Sequence, residues 1–89
     1  MSAAKSIVYP DWLGFPLVRI QWEDSRGVTT GWEWKDDVDP LPPVVIFSVG
    51  YLIKDTKRYK TLVQSVSDEQ ILGRLTIPSG CIKSIKKLK

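Results

Sequence analysis

Five stretches of this chain carry the two-residue hydrophobic period of a β-strand. In Leu17–Glu23, Val18, Ile20 and Trp22 share one face and Arg19, Gln21 and Glu23 the other, the mark of a half-buried strand. Val44–Lys54 is apolar on both rows: Val45, Phe47, Val49, Tyr51 and Ile53 on one, Val44, Ile46 and Leu52 on the other. Such a strand is buried from both sides over part of its length. Gly50 interrupts the second row and is where the strand is expected to bend. Tyr59–Ser67, Ile71–Ile77 and Cys81–Leu88 complete the set.

The breaks between these runs have turn chemistry. Asp24-Ser25-Arg26-Gly27 predicts a turn, with Gly27 able to take a positive φ. Asp55–Arg58 and Ser67–Gln70 predict two further turns, and Pro78-Ser79-Gly80 suits a single 3₁₀ turn before the last strand. Residues 28–43 have no clear period. Thr29 or Thr30 is suited to cap a short helix bearing Trp32, Glu33, Trp34 and Lys35, ended by Asp39-Pro40 and Pro42-Pro43; a structured loop is the alternative. Residues 1–16, with Pro10, Gly14 and Pro16 among scattered aromatics, read as an N-terminal arm, and residues 17–89 as a single domain. The expected fold is mainly β: a small five-stranded barrel of the SH3-like or Sm-like kind, with a short helix or structured loop after the first strand. Closing the sheet removes the free edges that short strands otherwise expose.

Composition narrows the chemistry. With 89 residues, 43% hydrophobic and 26% charged, the chain is long enough for one small folded domain. Cys81 is the sole cysteine and there is no histidine, so neither an intrachain disulfide nor a zinc site of the usual type is available, and no metal or cofactor is expected. Asp36, Asp37 and Asp39 lack the spacing of a calcium loop and read as a solvated acidic cluster. Cys81 has no histidine to activate it, no glycine pattern cradles a phosphate, and no pair of carboxylates is brought together by spacing. The chain therefore reads as a non-enzyme. Met1–Ser6 lacks a signal-peptide pattern and no stretch approaches the roughly 20 apolar residues of a membrane span, so no membrane association is expected and the cytoplasm is the expected location.

Charge is divided along the chain. Residues 1–44 carry four basic against seven acidic side chains, whereas residues 45–89 carry nine basic residues against Asp55, Asp68 and Glu69. Lys54, Lys57, Arg58 and Lys60 gather around one turn, and Lys83 opens a second basic run. With Tyr51 and Tyr59 as stacking platforms, these residues form a candidate surface for single-stranded RNA or DNA. The four tryptophans lie in the acidic half. Trp22 belongs to a core row, whereas Trp12, Trp32 and Trp34 are candidates for contact with another protein. Trp32 has a second reading, as a lid on the core. An acidic half and a basic half also suit head-to-tail pairing of identical copies, so a homo-oligomer is expected.

The order of elements resembles the Sm-like and SH3-like barrels. The fragments Trp22-Glu23-Asp24-Ser25, Gly31-Trp32, Ser48-Val49-Gly50-Tyr51-Leu52 and Ile77-Pro78-x-Gly80-Cys81-Ile82 are similar to those of a family of short uncharacterised proteins of tailed bacteriophages. That resemblance covers roughly residues 17–88 and implies a phage-encoded protein acting in the host cytoplasm on a host or phage protein. Likeness to Sm proteins implies rings that bind single-stranded RNA. Ile77, Ile82 and Ile85 occupy the apolar positions of the second Sm motif, but Pro78 replaces its Arg and Gly80 falls one place late. The strand tip Gln64–Asp68 lacks the Asp and Asn of the first Sm motif.

Overall fold

The structure, a computed structural model, describes residues 14–29 and 31–89. It is mainly β. Strand β1 (Leu17–Asp24) is followed by a long loop, then by β2 (Val44–Asp55), β3 (Tyr59–Val63), β4 (Ser65–Val66), β5 (Ile71–Leu72), β6 (Leu75–Pro78) and β7 (Ile82–Lys87). Five of these form an antiparallel sheet in the order β6-β3-β2-β1-β7, and β4 and β5 pair separately as a two-stranded hairpin.

The β1 pattern is realised directly. Val18, Ile20 and Trp22 face Gly50, Ser48 and Ile46 across the β2 ladder. On its other side β1 pairs with β7, where Ile20 meets Ile85 and Trp22 meets Ile82, with an irregularity between Gln21 and Trp22. Val18, Ile20, Leu62 and Ile77 form the buried core, with Trp22, Leu52, Cys81 and Ile82 packed against it. Ile20 and Ile77 are 0% exposed. The Trp22 indole Nε1 donates to Ser48 Oγ at 3.1 Å, which satisfies the polar edge of a largely apolar ring.

The turns form through side chains that imitate backbone. Thr56 Oγ1 donates to the Tyr59 carbonyl (2.9 Å) and accepts from the Tyr59 N–H (3.0 Å), closing the β2–β3 turn. Ser67 does the same at the β4–β5 tip, accepting from the Gln70 N–H at 2.9 Å. Ser79–Cys81 is the single 3₁₀ turn before β7.

One expectation needs correction. The sheet is not closed into a barrel: β6 and β7 are its outer strands and do not pair with each other. The reason lies in the middle of the third and fourth runs. Tyr59–Ser67 breaks at Gln64 and Ile71–Ile77 breaks at Gly73-Arg74, where Gly73 takes φ +76°. The far half of that hairpin leaves the main sheet as β4 and β5, so too little strand remains to curl the sheet onto itself. In the loop after β1 the positive φ falls at Gly31, at +134°. Of the two readings of residues 28–43, the described residues take the structured loop, with a 3₁₀ turn over Lys35–Asp37. Between Gly31 and Pro40 too few residues remain to repay helix nucleation.

Candidate functional site

Two surfaces stand out, at opposite ends of β2. The first is the loop of residues 25–43. Its base is fixed, because Asp24 and Val44 pair as the last rung of the β1–β2 ladder. Every described residue within it is exposed. Trp32 is fully exposed and Trp34 is 82% exposed, with Val28, Val38 and Leu41 also open to solvent. The loop nonetheless has local shape. The Asp37 N–H donates to the Trp34 carbonyl at 3.0 Å, and Val28, Glu33, Val38 and Leu41 line a shallow concavity of about 270 Å³. Glu33, Asp36, Asp37 and Asp39 give this apolar surface an acidic rim.

The second surface is a groove of about 490 Å³ lined by Ile53, Lys54, Tyr59, Thr61, Ile71, Arg74 and Thr76. The ladder between β2 and β3 is irregular between Leu52 and Lys54, which leaves Ile53 as the extra residue of a bulge. Past the bulge, Lys54 stands opposite Thr61. Thr61 in turn pairs with Thr76 of β6, their hydroxyls 2.8 Å apart. That contact, with Thr61 buried and Thr76 exposed, gives the groove a polar lining beside Tyr59 and Arg74, the latter from the β5–β6 break. Lys57 and Arg58 lie in the adjoining turn, both exposed.

The other expected site residues are distributed more widely. Lys60 is ion-paired with Asp55, so its charge is largely spoken for. Lys83 sits 3.6 Å from Glu23 on the β7 side of the sheet, away from the groove. Tyr51 is half-buried between Leu17 and Val63 and does not line the groove. Trp12 lies outside the described residues. Arg74 lines the groove but was not foreseen from the sequence, because a single arginine two residues after an apolar pair carries no signal until the break at Gly73 places it.

A third feature is the first half of β2. Its outward row of Val45, Phe47 and Val49 is exposed, with the Arg19 guanidinium 5.8 Å from the centre of the Phe47 ring. On the side away from β1, β3 pairs only from Tyr51 onward. The structure therefore defines a mainly β domain with an open sheet, one apolar acidic loop and one basic groove. No family model matches the chain, and neither curated proteins nor solved structures gave a significant match. Among the described residues, no helix is long and apolar enough to cross a membrane, and no three His, Cys, Asp or Glu side chains gather around a common point.

Proposed function

We propose that this protein is a non-enzymatic interaction module that docks on another protein through Trp32 and Trp34. The observation that carries the reading is the exposure of two indoles, Trp32 fully and Trp34 by 82%, on a loop that buries none of its described residues. Tryptophan is the residue most enriched at the energetic centres of protein interfaces, and leaving two of them in water has a cost that a partner would remove. The strand order and the 3₁₀ turn before β7 support an SH3-like or Sm-like arrangement of strands, in a sheet that stays open. A phage-encoded role in the host cytoplasm rests on the resemblance of fragments such as Ile77-Pro78-x-Gly80-Cys81-Ile82 to small phage proteins.

The test is chemical cross-linking from host lysate with the wild-type chain, Trp32→Ala and Trp34→Ala. One partner should be captured by the wild type and lost from both variants, whose circular dichroism stays unchanged. Equal capture by all three chains would overturn the reading.

The groove favours a second reading, in which Lys54, Lys57, Arg58 and Arg74 hold phosphates and Tyr59 stacks a base. Fluorescence anisotropy with labelled oligo-U and oligo-dT would then show binding that weakens steeply with salt. No binding at micromolar protein and low salt would remove it.

A further inference from the structure

We infer that the partner of the tryptophan loop is a second copy of this chain, and that loop 25–43 of one copy seats in the Lys54–Tyr59–Arg74 groove of the next. The inference rests on the docking role proposed above and names its partner.

Charge is the first argument. The loop carries Glu33, Asp36, Asp37 and Asp39 against Arg26 and Lys35, while the groove and its adjoining turn carry Lys54, Lys57, Arg58 and Arg74. The apolar chemistry also matches. An indole set between Lys54, Arg74 and the Tyr59 ring gains cation–π and edge contacts, over a surface that includes Ile53 and Ile71. A groove of about 490 Å³ is within the range of sites that enclose a large aromatic group.

Geometry makes the contact intermolecular. The loop leaves the sheet at Val44 and the groove opens at Lys54, ten residues along β2. At about 3.3 Å per residue, the two lie roughly 33 Å apart along the strand. Within one copy the loop stays in solvent and Trp32 touches none of the groove-lining residues. Each copy thus offers a donor at one end and an acceptor at the other. Unlike surfaces joined this way give a ring if the rotation closes and a filament if it does not.

The experiment is a charge exchange read by light scattering. The loop variant carries Asp36→Lys and Asp37→Lys; the groove variant carries Lys54→Glu and Arg74→Glu. Wild type should self-associate at high micromolar concentration in low salt and dissociate as salt rises. Each variant alone faces like charge and should associate about tenfold more weakly or less. Mixed in equal amounts, the two should form a complex again, because each supplies what the other repels. Trp34→Ala, at an exposed position, should weaken association without altering the circular dichroism. A wild type that stays monomeric in low salt, or a groove variant that associates like wild type, would overturn the inference. If that monomer still captures a different protein through Trp34, the docking role stands and only the identity of the partner falls. Salt-sensitive binding of oligo-U by a monomeric wild type would assign the groove to nucleic acid and equally overturn it.

Discussion

Gly50 sits where β2 passes closest to β3. A Cβ there would stand 2.8 Å from the Val63 carbonyl oxygen and 3.2 Å from Leu62 Cβ. The obstacle is backbone and cannot swing aside, so Gly50→Ala should lower the unfolding free energy by about 1–3 kcal/mol. Gly80 has open space around it, and Gly80→Ala should be neutral or gain a few tenths of a kcal/mol. Urea midpoints of the two variants compare them directly. Ser79 offers the opposite kind of prediction. Its Oγ is buried without a hydrogen-bond partner among the described residues, so Ser79→Ala removes an unmet polar group and should raise stability by about 1 kcal/mol. Ile20→Ala or Ile77→Ala would each cost about 2–5 kcal/mol, a large share of what a domain of this size holds in total. At this scale the sequence was a good guide to the core: the alternation that put Val18, Ile20 and Trp22 on one face is the arrangement found. The close approach at Gly50 was not legible, because contact with another strand leaves no trace in the local pattern.

The elements divide into those that hold the fold and one that does not. The loop of residues 25–43 contributes no buried side chain among its described residues, and its ends are already paired as Asp24 and Val44. Replacing it by Asn-Gly, the dipeptide suited to a tight hairpin, should leave the sheet intact. Shortening a closed loop also lowers its entropy cost, so thermal stability should hold or rise while partner capture and self-association disappear. A chain that unfolds on this replacement would mean that the loop has a structural role after all. The strand runs were legible because each combines a two-residue period with recognisable turn residues at both ends. Three features were not. The split at Gln64, the split at Gly73-Arg74 and the bulge at Ile53 all depend on pairing between distant strands, and each changes the outcome. The first two open the expected barrel; the third turns Lys54 toward Thr61 and makes the groove.

For the whole molecule, the governing fact is polarity. Acidic and apolar surface lies at the β1–β2 end, basic and concave surface at the β2–β3 end. This division was visible in the charge of the two halves of the chain, but only the sheet shows that it becomes two ends of one strand. Exposed indoles report on it without labels. Trp32 and Trp34 should give red-shifted emission open to iodide quenching in the dissociated state, and both signals should shift toward burial as the protein is concentrated in low salt. An emission spectrum that stays the same across that range would argue against any contact at the loop.

The position of β1 has one more consequence. It lies between β2 and β7, and its Gln21 takes a contact from Ser84, 63 residues further along. One flank of β1 is thus covered by the next strand of the main sheet, β2, and the other by a segment synthesised much later. Until that segment emerges, a growing chain holds Val18, Ile20 and Trp22 beside a row of unmet amides. That interval has the character of a nascent sticky edge, where chaperones would engage and where premature pairing between neighbouring nascent chains is most easily seeded.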